Sequence, residues 1–364
     1  AMSALLSSLL ALVRDRLLAH AFGASTTLDI YYAAFRIPDL IFVATGALVS
    51  VYMIIPELSH RDEEKQRDYI DTIVAAFSVL AVVVCSVAAI LAPTIVELLF
   101  PQLVAQGHED IVVSMTRIML LQPILLGLSN ILAAITQARY RYALYSLSPL
   151  LYNIGIILGV AVLYPAFGIR GLAMGVILGA LLHVLVQLPS AISDGFFRRL
   201  PFIRERSAIW KTVSISLPRA LSLSMNQITF IGLTALAGYL APGSISVFMF
   251  AFNLQAVPLA IIGASYSVAA FPTLAAMVAS GQRDEFISLI STATKYVLFW
   301  SLPVIALVVV LRAHIVRVIL GSGSFDWTDT RLTAAAFALF SLSLVAQGVM
   351  LVLIRGYLSS SLVN

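Results

Sequence analysis

The chain has one cysteine, five histidines and little charge. Cys85 has no partner within the chain, so no internal disulfide can form. Asp, Glu, Lys and Arg together make 11% of the residues, against about 25% in a soluble domain. The histidines are scattered, and no H-E-x-x-H, P-loop, G-x-S-x-G or metal-spaced Cys/His cluster is present. These absences exclude a disulfide scaffold, a water-soluble enzyme, a disordered chain and a nucleic-acid binder. No cofactor or metal is expected. His183, inside an apolar run, reads as a packed side chain.

What fills the sequence is apolar. Of 364 residues, 60% are hydrophobic, about 218. A bilayer core about 30 Å thick takes roughly 20 apolar residues per helix. The fold class is therefore an all-α polytopic membrane protein. Runs such as VAAFSVLAVVVCSVAAILA lack the alternation of a barrel strand, and only helices satisfy their own backbone in lipid. Long apolar runs predict ten spans, near 2–21, 29–56, 71–98, 111–137, 145–165, 169–191, 211–240, 244–276, 286–312 and 331–355.

Basic residues set the orientation. With the N-terminus in the cytoplasm, twelve Lys and Arg fall in cytoplasmic loops; Arg170, Arg312, Arg317 and Arg331 fall on the opposite side. The most basic loop holds Arg198, Arg199, Arg204, Arg206 and Lys211. It reads as a cytoplasmic linker, 194–210, between an N-terminal six-helix lobe, 1–193, and a C-terminal lobe, 211–364.

The chain carries an internal repeat. Residues 34–51, AFRIPDLIFVATGALVSV, match 251–268, AFNLQAVPLAIIGASYSV, and Gln66-Arg67-Asp68 matches Gln282-Arg283-Asp284. Arg139 matches Arg355. The offset stays near 217 residues, about six spans. An even number of spans gives two copies of the same orientation, and transporters so built place substrate between their halves. The second copy ends four helices in, so two helices are expected to be missing from it.

Charged residues inside spans are costly and commonly face a cavity. Six cations lie there: Arg14, Arg16, Arg36, Arg117, Arg219 and Lys295. Arg14-Asp15-Arg16 sits midway along the first span. Asp29, Tyr32, Arg36 and Asp39 share one face of the second, with Pro38 among them. Gln122 near Arg117, Asn226 with Gln227, and Asn253 with Gln255 add polar groups further on. The expected substrate site comprises Arg14, Asp15, Arg16, Asp29, Arg36, Asn253, Arg117 and Arg219. A cationic, membrane-buried set of arginines suits a phosphate-bearing head group, such as the diphosphate of an amphipathic lipid.

The stretch 13–41, VRDRLLAHAFGASTTLDIYYAAFRIPDLI, resembles the opening helices of the MurJ/MviN family, lipid II flippases of the multidrug/oligosaccharidyl-lipid/polysaccharide exporter superfamily. Arg14, Asp15, Ala19, Phe22, Gly23, Asp29, Tyr31, Ala34, Phe35, Ile37, Pro38, Asp39 and Leu40 fit that pattern. The run AFNLQAVPLAIIGASYSVAAFPTLAAM resembles the family's eighth helix.

The resemblance implies two six-helix lobes forming a V and alternating access. It implies an inner-membrane, multi-pass flippase, not an enzyme. The substrate would be an undecaprenyl-diphosphate-linked peptidoglycan precursor, moved to the outer leaflet. The partners implied are that lipid and membrane lipids, with the cell-wall synthesis machinery as a further one, and the chain acting as a monomer. The family's last four of fourteen helices would be absent here. Arg14 matches a family cavity arginine, Asp15 its partner position and Asp29 a family aspartate. The sequence departs from the family at Ser8 and Phe42, where arginines are expected. It departs also at Phe252-Asn253, where the family has Asp-Arg, and at Thr45, where it has Glu. Other readings are a different lipid-linked oligosaccharide or drug exporter of the superfamily, and a non-transporting membrane scaffold.

Overall fold

A computed structural model describes residues 2–46, 48–49, 51–197, 201–264, 273–274, 276–278 and 280–361. Every regular element among them is a helix. The chain divides into two compact units, 1–245 and 246–364.

The first unit opens with α1 (Met2–Phe22) and α2 (Thr26–Gly46), then α3 (Val51–Ser59) and the long α4 (Glu63–Leu99). The short α5 (Pro101–Ala105), α6 (Glu109–Met119) and α7 (Leu121–Ala138) follow. Then come α8 (Tyr142–Leu158), α9 (Tyr164–Phe167), α10 (Ile169–Leu185), α11 (Leu188–Ser193) and α12 (Arg206–Gly238). A π turn, Gly159–Leu163, joins α8 to α9. Helix α13 (Ser244–Leu259) begins at the unit boundary. The second unit continues with α14 (Arg283–Leu320), α15 (Trp327–Ser341) and α16 (Leu344–Ser361).

Among the described residues, seven helical stretches are long and apolar enough to cross a membrane. An eighth is the pair Trp327–Ser341 and Leu344–Ile354, bent by 44°. α1 and α2 have 21 residues each, a rise of about 31 Å, but each carries three ionised groups. The expected second span, 29–56, is divided between α2 and α3, and the end of the expected eighth, 265–272, lies outside the described residues.

The surface confirms the solvent. α4 exposes Val79, Val82, Val83, Val87 and Ile90, the last at 75%. α14 exposes Phe299, Leu302 and Val310. Apolar area of that extent marks a membrane-facing surface.

Without a hydrophobic drive between helices in lipid, close packing of small residues holds them together. Gly171, Gly175 and Gly179 recur every fourth residue on α10; Gly175 and Gly179 face Gly159 and Gly155 of the chain that runs from α8 into the π turn, and Gly171 faces the backbone of Leu163 and Tyr164. A Cβ on Gly175 would stand 2.4 Å from the Gly159 Cα, and one on Gly155 would stand 2.2 Å from the Gly179 Cα. A second seam joins α4 to α7, where the Phe77 ring fills the space a Cβ on Gly127 would need. Tyr69, Ile73, Ile131 and Ile135 are buried around it. Polar side chains tie α7 to α10: Ser129 Oγ lies 2.6 Å from His183 Nδ1, and Gln187 Nε2 donates to Ser129 Oγ at 2.7 Å. His183 is thus a packed residue of the first unit.

Candidate functional site

The charged residues of α1 and α2 meet partners on three other helices of the first unit, α7, α8 and α12. On α1, Arg14 Nε and Nη2 both donate to Asp15 Oδ1, at 3.0 and 2.8 Å. Its Nη1 donates to Asn153 Oδ1 of α8 at 3.1 Å. Asn153 is held in turn, since its Nδ2 donates to the Pro149 carbonyl. Asp15 is buried, whereas the Arg14 side chain keeps 21% of its surface exposed. A guanidinium has five N–H groups, so two remain after these bonds. The carboxylate offsets the cost of the cation, and the free edge can take an anion.

On α2, Arg36 is 3% exposed. Its Nε donates to the Tyr32 carbonyl at 3.0 Å, and its Nη2 lies 3.5 Å from Asp39 Oδ2. Its guanidinium carbon stands 5.0 Å from the Phe230 ring centroid on α12, a cation–π contact. Gln122 of α7 approaches Asp39 Oδ1 at 3.5 Å. Of the expected stripe on α2, Arg36 and Asp39 form an ion pair.

Pro38 has no N–H, which leaves the Ala34 carbonyl without its helical donor. Thr116 Oγ1 of α6 lies 3.5 Å from it. Arg117 serves a similar gap. Pro93 of α4 frees the Ala89 carbonyl, and Arg117 Nε donates to that oxygen at 3.0 Å. Arg117 itself is exposed.

The other expected residues are dispersed. Asp29 is buried and accepts the Gly243 amide through Oδ2 at 2.6 Å. Arg16 is exposed on α1. Arg219 is exposed on α12 and lines a cavity of about 430 Å³ with Asn130, Gln137 and Tyr145. Asn253 is half-buried on α13 in the second unit. Asn153 was missed by sequence reasoning. It is a lone amide in an apolar helix, a signal of interhelical bonding.

A second charged zone ties the turn between α3 and α4 to the basic linker. Arg61 Nη1 binds Glu205 at 2.8 Å and its Nη2 binds Glu57 at 3.3 Å. Lys211 Nζ also binds Glu57, and Arg204 Nη1 binds Asp68 at 2.5 Å. The Arg204 and Glu205 amides point at Thr72 Oγ1, at 3.2 and 3.4 Å. The hydrogen bond from Lys211 holds the Glu57 carboxyl below the usual carboxylate range. Arg198 and Arg199 lie outside the described residues.

Comparison with known proteins gives one consistent answer. The family model described as lipid II flippase MurJ matches residues 18–363. The probable lipid II flippase MurJ of Buchnera aphidicola subsp. Acyrthosiphon pisum (strain APS) is 26% identical over 350 residues, covering 94% of this chain and 68% of its own. The lipid II flippase MurJ of Burkholderia cenocepacia (strain ATCC BAA-245 / DSM 16553 / LMG 16656 / NCTC 13227 / J2315 / CF5610) is 26% identical over 370 residues, covering 97% and 70%. A solved lipid II flippase MurJ in an inward closed conformation superposes with a TM-score of 0.85 at 21% identity, covering 99% of this chain and 75% of that one. A multidrug resistance MATE family transporter of the MOP superfamily, in an inward-facing conformation, superposes with a TM-score of 0.71 at 16% identity, over 98% and 83%. At those identities the two structures speak for the fold.

Proposed function

The chain belongs to the lipid II flippase MurJ family, and on that premise we propose that it moves lipid II from the inner to the outer leaflet of the bacterial cytoplasmic membrane. It is a transporter of a lipid-linked substrate, not an enzyme. The observation that carries the site is the Arg14 guanidinium. Asp15 and Asn153 fix it from two helices, and its side chain is still about a fifth exposed.

Diphosphate oxygens take the two free N–H groups of Arg14 and compete with Asp15 for the rest. A buried pair that can exchange its carboxylate for a substrate phosphate binds without leaving either state with an uncompensated cation. Arg36, Asp39 and Gln122 tie α2 to α7 and α12. We assign Asp29 to the same framework. Arg16 and Arg219 complete the proposed substrate set on the first unit, and Asn253 is the residue proposed for substrate on the second. Arg117, committed to the Ala89 carbonyl, is assigned to helix repair.

The lobes run 1–193 and 211–364, joined by the linker 194–210, with the N-terminus cytoplasmic and ten spans counting α1 and α2. α12 packs on α2 and α4 within the first compact unit. Rocking of the lobes switches access, and the protein acts as a monomer beside the cell-wall synthesis machinery.

The test is complementation of flippase-depleted cells and lipid II flipping by the full-length protein. Arg14→Ala is expected to lose at least tenfold in flipping at normal membrane abundance, the loss of a charge-assisted hydrogen bond. Flipping unchanged in that variant removes Arg14 from the site. Failure of the parent to rescue, despite insertion, removes the function.

A further inference from the structure

Two arginines of the second unit meet at a cavity that the flipping mechanism does not use. On α14 the apolar run 296–311 is bounded by Lys295 and Arg312. Those residues rise about 24 Å as helix, so Arg312 stands where the hydrocarbon ends and head groups begin. The next helix, α15, starts at Trp327, which is 58% exposed, the residue type of the interfacial belt. Arg331 lies one turn inside it.

Between the two helices is a cavity of about 420 Å³ lined by Arg312, Thr328, Arg331, Leu332 and Ala335. No carboxylate lines it. Asp326 and Asp329, the nearest acids in sequence, bind each other's backbone amides in a capping box. Among the described residues neither arginine forms an ion pair. Arg312 donates once, to the Val309 carbonyl at 2.5 Å. Both side chains are exposed.

Two unpaired guanidinium groups, a hydroxyl and an apolar wall at head-group depth match one chemistry. The phosphate takes the arginines, and the chain beneath it lies along Leu332 and Ala335. We propose that this cavity binds the phosphate head group of an anionic glycerophospholipid of the surrounding bilayer. The site stands apart from lipid II transport.

The test uses the protein carrying Trp210→Phe and Trp300→Phe, which leaves Trp327 as the reporter, reconstituted in phosphatidylcholine vesicles. Quenching of Trp327 is titrated with brominated phosphatidylglycerol and with brominated phosphatidylcholine. A basic residue near an anionic lipid surface contributes about a fivefold preference, so the pair gives about 25-fold for the anionic lipid. In R312Q/R331Q the preference is expected to fall to near one. Arg331 is exposed and makes no bond within the described chain, so R331Q alone leaves the fold intact and is expected to lose about fivefold. Equal quenching by the two lipids in the parent overturns the proposal, as does an unchanged preference in R331Q. Abolition of the preference by inorganic phosphate at constant ionic strength also overturns it, by assigning the site to a soluble anion.

Discussion

Asp29 Oδ2 accepts the backbone amide of Gly243 at 2.6 Å, across 214 residues of chain. Asp29 lies in the first turn of α2, and Gly243 lies in the turn that follows α12. Gly243 has φ near 90°, and a Cβ there would stand 2.3 Å from the Ala24 carbonyl oxygen. The turn therefore needs glycine for both its conformation and its approach. Asp29→Ala leaves a buried N–H without an acceptor and is expected to cost about 1–3 kcal/mol. Asp29→Asn keeps an acceptor and is expected to cost less. Gly243→Ala is expected to destabilise as well, and the double variant to cost less than the two losses added, because both break one contact. Thermal unfolding in detergent measures all three; additive losses would place Asp29 and Gly243 in separate roles.

Much of this could be read from sequence. Runs of apolar residues gave the membrane class, and the Arg14-Asp15 dipeptide showed two neighbouring ions on α1 that the structure pairs. Asp29 and Arg36 were visible as ions too expensive to leave in lipid. Their partners were not visible. Asn153, Gly243 and Phe230 reach α1 and α2 from more than a hundred residues away, and no local period encodes such a contact. Arg117 looked like a cavity cation, because sequence shows the charge but not the carbonyl that Pro93 leaves open on α4. The Gly171, Gly175 and Gly179 spacing was present in the chain, but a glycine series names its own seam and not the helix that fills it.

Arg117 gives a prediction that separates structure from transport. Pro93 removes the donor to the Ala89 carbonyl, and Arg117 Nε supplies one at 3.0 Å. Arg117→Met is expected to lower stability by about 0.5–1.5 kcal/mol, the usual net value of a hydrogen bond. In a Pro93→Ala background the alanine N–H takes over the carbonyl, and the same substitution is expected to cost nearly nothing. A double-mutant cycle on unfolding reads the coupling. Lipid II flipping is expected to survive in Arg117→Met at normal abundance; its loss would return Arg117 to the substrate site.

The seam between α8 and α10 predicts a steep response to side-chain size. Gly175 has no room for a Cβ beside the Gly159 backbone, so Gly175→Leu forces the helices apart. The expected cost is at least about 1–3 kcal/mol, that of overpacking a tight core, with reduced membrane abundance. A Cβ on Gly232 of α12 would meet nothing within 4 Å. Gly232→Ala is expected to be neutral or to stabilise by up to about 1 kcal/mol through helix propensity. Membrane abundance and melting of the two variants, compared side by side, check the contrast.

The linker zone predicts a loosening in acid. Glu57 accepts from Lys211 and Arg61, and the Lys211 hydrogen bond holds its carboxyl below the usual range. A carboxylate whose folded value is depressed contributes its stability above the unfolded value, near pH 4.3. That contribution falls away as pH drops through the folded value. Lys211 is 61% exposed and Glu57 20%, so water and salt screen the pair, and its worth is at most about 1 kcal/mol. Between neutral pH and about pH 5 the segment 201–211 is expected to stay protected from protease against α3 and α4, and to become cleavable below about pH 4. Glu57→Gln is expected to show the acid cleavage pattern already at neutral pH, and high salt to shift the parent part of the way toward it. A parent whose cleavage is the same at neutral pH and in acid, with an acid-active protease, would mean that the amide bonds to Thr72 hold the linker without the ions.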